Sequence, residues 1–385
     1  MDFNRKCKEE LLQIFELKDF PDNLEHSTEK LLCNRKIIIY GAGAGFQTFY
    51  NLILTKYNLQ VEALVDKKFK SKGKYYGFVA YPPDEYFPTE EEKEKSVVVI
   101  TVGKQEYYEE ILDFLKNLGF KNIIFAHDIY EFNLPYVSDD LKVKGFKFYL
   151  ENKDKILSCL ELFHDNLSLQ VYNNFIKIHM LRKLFSLPYS YRNEQYFPPD
   201  IKFNKGYDRF IHCGAFDGST IQYLNKKVGK IKALICFEPN LENFHLLSKY
   251  IIEKKDQIAD EIICFPCGVF SKEIQLRFKN EGGSSHISEN GDSFMQCVAL
   301  DNALPNFRLT FISMDIEGAE LEALKGAERS IRGNKPDLAI SVYHLPNHIW
   351  EIPLYIEKLS LGYKFYLRNY SGKAIETVLY ATVDE

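Results

Sequence analysis

The chain has 385 residues, too many for one ordinary core, so two or three domains are expected. Its residues are 45% hydrophobic and 27% charged, a globular balance. The net charge of −5, with no basic patch to offset it, argues against sequence-independent nucleic-acid binding, which rests on an excess of lysine and arginine. The opening Met1-Asp2-Phe3-Asn4-Arg5-Lys6 is polar and lacks the apolar core of a signal peptide. No apolar run approaches the roughly 20 residues that span a bilayer. The eight cysteines, at 7, 33, 159, 213, 236, 264, 267 and 297, are scattered through apolar runs. That pattern suits reduced, buried thiols, and a cytoplasmic location is expected. Cys264 and Cys267 have the gap of a metal-binding pair, but no second pair completes a zinc site, so they read as structural.

Residues 1–34 read as an N-terminal helical segment, with Leu11, Leu12, Ile14 and Phe15 at helical spacing. An α/β domain is expected over 35–133. The strand after Lys36 enters the turn Gly41-Ala42-Gly43, the helix Phe46–Tyr57 follows, and the strand Val61–Val65 ends at Asp66. A glycine turn between strand and helix, with an acid about 20 residues on, is the pattern of a dinucleotide-binding βαβ unit. Gly41, Gly43 and Asp66 are therefore candidate nucleotide contacts. Position 46, where a third glycine would let helix and strand pack closely, is phenylalanine. Further strands are expected at Ser96–Val102 and Asn122–Ala126, with a helix at Tyr107–Leu118 between them.

Residues 134–205 change pattern. Apolar residues recur at helical spacing around Ile156–Phe163 and Val171–Phe185, and Pro188, Pro198 and Pro199 then interrupt the chain. The stretch is too apolar for a flexible linker and reads as a helical connector packed on the C-terminal domain.

From 206 to 385 strands and helices alternate. Strands are expected at Asp208–Cys213, Ala233–Phe237, Glu261–Val269, Leu309–Met314 and Asp337–Tyr343, followed by a hairpin of Tyr363–Arg368 and Ile375–Ala381. An extra pair, Ile274–Phe278 and Met295–Leu300, brackets Gly282-Gly283-Ser284-Ser285 and suggests a lid. The first strand runs into His212-Cys213-Gly214-Ala215-Phe216-Asp217-Gly218, and the next ends at Glu238, twenty residues after Gly218. Such glycines let backbone approach a ligand, and a carboxylate there can accept paired hydrogen bonds from ribose hydroxyls. The spacing points to an adenosine-containing cofactor.

The ordered motifs resemble a known family. His212-Cys-Gly-Ala-Phe-Asp-Gly, Phe237-Glu-Pro, Phe265-Pro-Cys-Gly-Val, Ala299-Leu-Asp301, Met314-Asp-Ile-Glu-Gly-Ala-Glu320, Ala339-Ile-Ser-Val-Tyr-His344 and Glu376-Thr-Val-Leu-Tyr-Ala look like the FkbM-type methyltransferases over roughly residues 160–385. The resemblance implies a class I, Rossmann-like methyltransferase fold whose last strand is antiparallel, preceded by a smaller Rossmann-like α/β domain and the helical connector. It implies S-adenosylmethionine as cofactor and O-methylation, in that family of sugar hydroxyls of surface glycans or hydroxyls of secondary metabolites. A sugar or glycan-precursor substrate is expected, in part because the N-terminal region is similar to small nucleotide-binding domains that precede some sugar-modifying enzymes. His212, Gly214, Ala215, Asp217, Gly218, Glu238 and Asp301 become candidate cofactor contacts. His212 departs from the family pattern, which usually carries aspartate there.

For catalysis the candidates are Asp315, Glu317 and His344. Asp315 and Glu317 lie two apart after a strand, so extended backbone would point both to one face. His344 ends the neighbouring strand, and its ordinary pKa of about 6.5 suits a general base that takes the proton of an attacking hydroxyl. Glu320 reads as structural, near the start of the next helix. The three candidates could also hold a divalent cation, although nothing in their spacing demands one and no metal is predicted. Asp217 and Asp301 could equally cap helices or turns. Two further readings are open: a nucleotide-sugar-binding scaffold with a degenerate cofactor turn, and a dehydrogenase working through Gly41–Asp66. No candidate proton relay follows that first turn, which counts against the second.

Overall fold

The computed structural model describes residues 3–17, 32, 35–103, 107–126, 146–181, 187–279, 286–287, 291, 293–371 and 375–384. The chain divides into two compact units, one of Asp19–Leu134 and one of Met1–Lys18 with Pro135–Glu385.

The smaller unit is built on a six-stranded sheet. Its strands are β1 (Ile37–Tyr40), β2 (Val61–Val65), β3 (Gly73–Tyr75), β4 (Phe78–Tyr81), β5 (Val97–Ile100) and β6 (Ile123–Phe125), in the order β3-β4-β2-β1-β5-β6. Only the β3–β4 pair is antiparallel, and sequence reading missed that hairpin. β1 and β5 are buried along their whole length, which is why they read as continuous apolar runs. The expected helix 46–57 instead begins at Ala44, widens into a π-helical turn over Tyr50–Leu54, and stops at Asn58 in a left-handed conformation. Close packing falls to a different residue than the one expected. A Cβ on Gly45 would lie 2.1 Å from the Thr101 carbonyl, whereas Phe46 turns inward and is fully buried in the apolar core.

The larger unit holds a seven-stranded sheet of β7 (Arg209–Cys213), β8 (Ile231–Phe237), β9 (Ala259–Phe265), β14 (Phe311–Met314), β15 (Asp337–Ser341), β16 (Tyr363–Asn369) and β17 (Thr377–Val383). Their order is β16-β17-β15-β14-β7-β8-β9, parallel except that β17 pairs antiparallel with both β15 and β16. The expected strand 261–269 is split. Its last two residues form β10 (Gly268–Val269), which joins β11 (Ile274–Lys279), β12 (His286–Ile287) and β13 (Ser293–Val298) in a separate four-stranded sheet. The cysteines of the described residues are all free, and no helix among those residues is long and apolar enough to cross a membrane.

The helix Phe3–Phe15, read from sequence as a separate leader, packs within this larger unit. Its Glu10 accepts hydrogen bonds from Asn173 (2.8 Å) and Lys177 (3.0 Å) of the helix Asn166–Leu181. That helix is joined to the sheet through buried polar contacts. Ser168 Oγ accepts from the Leu367 backbone at 2.8 Å, and the Arg368 guanidinium, 3% exposed, reaches Asp165 at 2.6 Å and Asp200 at 2.9 Å. Arg368→Ala should therefore lower the stability of this unit by roughly 3 kcal/mol, the low end for a broken buried pair because both remaining carboxylates can hydrate. Urea unfolding followed by fluorescence of Trp350, which is fully buried, measures it; an unchanged midpoint would contradict this anchoring role.

Candidate active site

The carboxyl ends of β7, β8, β14 and β15 converge on one cavity of about 450 Å³, the edge where open α/β sheets bind ligands. Parallel registers bring His212 opposite both Cys236 and Ser313, and Cys213 opposite both Phe237 and Met314. The glycine turn leaves β7 at Gly214, with φ of +85°, where an added Cβ would stand 1.9 Å from the Asp315 carbonyl. Backbone bonds close the junction: Gly214 and Ala215 N–H both donate to the Phe237 carbonyl, and Asp315 N–H donates to that of Cys213.

On this frame Glu238 is 5% exposed and lines the cavity. Its two oxygens accept the Phe216 and Asn240 backbone N–H groups at 2.8 and 2.9 Å. Burial pushes its carboxyl up, and these amides work against that shift. An oxygen holding one N–H keeps a lone pair for a ligand donor. His212, 1% exposed, has Nδ1 2.6 Å from Ser313 Oγ, while Nε2 is buried with no hydrogen-bond partner. Burial lowers its pKa to about 4, so the ring stays neutral.

The same cavity is lined by Asp315, Glu317 and Glu376, together with Tyr196, Tyr343, Arg192 and Gln195. Asp315 accepts from the Tyr196 hydroxyl at 2.6 Å and the Tyr343 hydroxyl at 3.4 Å. Glu317 sits in a left-handed conformation, φ +54°. Burial, with the nearby Asp315 charge, raises its pKa to about 7, although His344 opposes the shift. Glu376 accepts from Gln195 at 3.0 Å and Arg192 at 3.3 Å, and burial followed by the Asp315 charge lifts its carboxyl above the usual range.

Behind them lies Glu320, with no exposed surface. It accepts the Ile316 N–H at 2.9 Å and the Gly318 N–H at 3.1 Å, and His344 donates to it from Nδ1 at 2.8 Å. His348 Nδ1 lies 3.1 Å from its other oxygen, off the line of a hydrogen bond. Burial would raise the Glu320 carboxyl, but His344, with His348 beside it, outweighs that and holds it well below the usual range. His344 Nε2 is 3.3 Å from Asp315 and 3.6 Å from Glu317, again without hydrogen-bond alignment.

Several expectations need correction. His344 is not poised as a neutral base: burial disfavours its charge, yet Glu320, Glu317 and Asp315 overcome that and raise its pKa to about 10. Asp301, read as a candidate cofactor contact, serves another element. It caps the helix Glu328–Asn334, accepting the Arg329 and Ser330 N–H groups at 2.8 Å each, and it lies outside the cavity lining. Asp217 accepts the Ser219 N–H at 2.9 Å at the start of the helix Ser219–Val228, while Ala215 and Gly218 shape the turn from outside the lining. Ser284 and Ser285 lie outside the described residues. Sequence reading gave no role to Arg192, Gln195 and Tyr196 of the connector, or to Tyr343 and Glu376. The last two stood inside motifs already noted.

In the smaller unit Asp66 mirrors Glu238. Its carboxylate accepts the Ala42 N–H of the glycine turn at 2.5 Å and the Lys68 N–H two residues on at 2.7 Å. The Lys68 ammonium donates to the Ala42 carbonyl.

The sheet order, its antiparallel last strand and an acid-ended cavity at the strand termini define a class I methyltransferase fold. The C-terminal unit carries a methyltransferase FkbM domain, whose family model matches residues 212–365; the family points to S-adenosylmethionine-dependent methyl transfer. The fold is shared with the crystal structure of methyltransferase FkbM from Methylobacillus flagellatus, with a TM-score of 0.70 at 21% identity, over 99% of this chain and 98% of that one. More distant likenesses include a putative rRNA methylase from Clostridium thermocellum (TM-score 0.32, 7% identity, 46% of this chain and 88% of that). Another is fibrillarin from Aeropyrum pernix with natively bound S-adenosylmethionine (0.30, 10%, 46% and 66%). No curated protein matches the sequence.

Asp301→Ala should cost about 1 kcal/mol of stability, as loss of a helix cap does, and leave cofactor affinity unchanged. Thermal unfolding beside a calorimetric titration with S-adenosylmethionine separates the two effects. A large loss of affinity without destabilisation would return Asp301 to the cofactor site.

Proposed function

We propose that the protein is an S-adenosylmethionine-dependent O-methyltransferase acting on a hydroxyl of a sugar or glycan precursor. The observation that carries this reading is a single cavity lined both by Gly214, His212 and Glu238 and by Asp315, Glu317, Glu376, Tyr196 and Tyr343.

The residues present fit the cofactor. Glu238 keeps acceptor capacity for ribose hydroxyls, and Gly214 brings bare backbone to the cavity wall. His212 offers one unpartnered nitrogen from a neutral ring, which suits a neighbour of a sulfonium better than an imidazolium would. Bound there, S-adenosylmethionine supplies an electrophilic methyl carbon. The chain's own part is alignment and proton removal: methyl transfer to oxygen needs the hydroxyl held in line, and its proton taken as the new bond forms. Because His344 is held charged, the proton acceptor is a carboxylate oxygen of Asp315 or Glu317. Tyr196 and Tyr343 fix Asp315, and His344 fixes the space between the two acids.

Hydroxyl, amide and guanidinium groups of Tyr196, Tyr343, Gln195 and Arg192 suit a neutral polyhydroxylated ring. Three carboxylates in one wall disfavour an acceptor that carries negative charge beside its reacting hydroxyl. The matching closure of turn and acid at Ala42 and Asp66 supports a nucleotide, free or sugar-linked, in the smaller unit, with Gly41, Gly43 and Asp66 as its contacts.

The test is calorimetry of the full chain with S-adenosylmethionine, NAD and a panel of nucleotide-sugars, followed by mass spectrometry for gain of one methyl group. S-adenosylmethionine is expected to bind, and Glu238→Ala to weaken it roughly 10- to 100-fold, the loss of about 1.5–3 kcal/mol of charged hydrogen bonding. Undiminished binding in a folded Glu238→Ala protein would contradict the cofactor assignment. Binding with transfer to no acceptor would favour the non-catalytic reading, and binding of NAD alone the dehydrogenase.

A further inference from the structure

We propose that Asp315 Oδ1, Glu317 Oε2 and His344 Nε2 form a binding site for one divalent transition-metal cation that faces the cavity. The inference deepens the proposed function, because the ion would meet the acceptor hydroxyl there, but its test does not depend on methyl transfer.

Both carboxylate oxygens stand at ligand spacing from His344 Nε2. His344 Nε2 stands 3.3 Å from Asp315 Oδ1 and 3.6 Å from Glu317 Oε2, and neither contact is aligned as a hydrogen bond. Ligand atoms bound at roughly 2.0–2.2 Å to one ion lie about 3.0–3.5 Å apart at tetrahedral or octahedral angles. Each carboxylate oxygen thus keeps the separation of a ligand from Nε2 without a hydrogen bond to it.

The nitrogen is also placed for an ion, which on binding would displace the Nε2 proton. The His344 side chain is 4% exposed, and its Nε2 is buried without a hydrogen-bond partner between the two carboxylates. The ring is already oriented from the other side, since Nδ1 donates to Glu320 at 2.8 Å. A carboxylate holding one ring nitrogen so that the other is presented outward is the usual support of a metal-bound histidine. Asp315 is supported likewise: the Tyr196 hydroxyl holds Oδ2 at 2.6 Å, while Oδ1 faces His344 and accepts only the longer 3.4 Å bond of the Tyr343 hydroxyl.

Asp315, Glu320 and His344 each bring a possible ligand atom within 4.8 Å of the others. Glu320 nevertheless serves from behind. It has no exposed surface, and Ile316, Gly318 and His344 already donate to its oxygens. Glu317, which lines the cavity, takes the third ligand place.

Charge points the same way. Two carboxylates and a neutral imidazole carry a charge of about −2, which a dication cancels. One nitrogen and two oxygens favour a borderline ion such as Mn²⁺ over Mg²⁺, which prefers oxygen alone. Three protein ligands leave positions open to the cavity, where an acceptor hydroxyl can bind the ion and become more acidic.

The test is Mn²⁺ binding to chelator-treated, dialysed full-length protein, read by electron paramagnetic resonance and calorimetry without acceptor. One site is expected in the wild type. Glu317→Gln and Asp315→Asn should each weaken it at least about 100-fold, and Glu320→Gln, which removes only the support behind His344, about 10- to 100-fold. Retained S-adenosylmethionine affinity in each variant shows that it is folded. No Mn²⁺ binding at millimolar concentration, or binding that survives in both Glu317→Gln and Asp315→Asn, would overturn the site. Either result would leave the methyltransferase reading standing, since cofactor binding is measured separately.

Discussion

One fully buried carboxylate organises the catalytic half of this molecule. Glu320 has no contact with solvent, so its charge persists only because N–H groups and imidazoles surround it. Two backbone donors come from Ile316 and Gly318 and therefore fix the loop that carries Glu317. A third donor is His344, on the neighbouring strand end. A single side chain thus sets the shape of one loop, the angle of one ring and the charge state of that ring. Loss of Glu320 would not merely remove a hydrogen bond; it would leave buried donors unsatisfied on two segments that both border the cavity.

The second constraint is steric. Gly214 lies against the Asp315 carbonyl so closely that any side chain would force the β7 and β14 ends apart. The glycine that lines the cavity is therefore the one that locks the glycine turn to the loop of acids. The glycine turn and the loop of acids share a backbone junction, set by the parallel pairing of β7 with β14 and β8.

Much of this was legible in sequence, for identifiable reasons. Buried parallel strands such as Val97–Ile100 and Phe311–Met314 are short apolar runs, and their ends fell within a few residues of expectation. Glu238 and the paired acids after β14 were found because they follow such strands immediately. What failed was whatever depends on distant partners. Asp301 looked like an acid at a strand end, but the N–H groups it caps come from Arg329 and Ser330. The close-packing place was read at Phe46 and falls instead to Gly45, a shift of one residue that a linear motif cannot resolve. His344 was read with its ordinary pKa, which Glu320, Glu317 and Asp315 raise from a segment distant in sequence. Arg192, Gln195 and Tyr196 follow an irregular stretch with no periodicity, so nothing local marked them as cavity residues.

The central claim is that one cavity at the β7, β8 and β14 ends receives the methyl donor. Amide hydrogen exchange of the full chain, with and without saturating S-adenosylmethionine, examines it at every segment at once. The account predicts slowed exchange in residues 213–220, 238–243 and 315–319, with residues 35–103 unchanged. Slowed exchange confined to the Gly41–Phe46 turn, with none at 213–220, would contradict it.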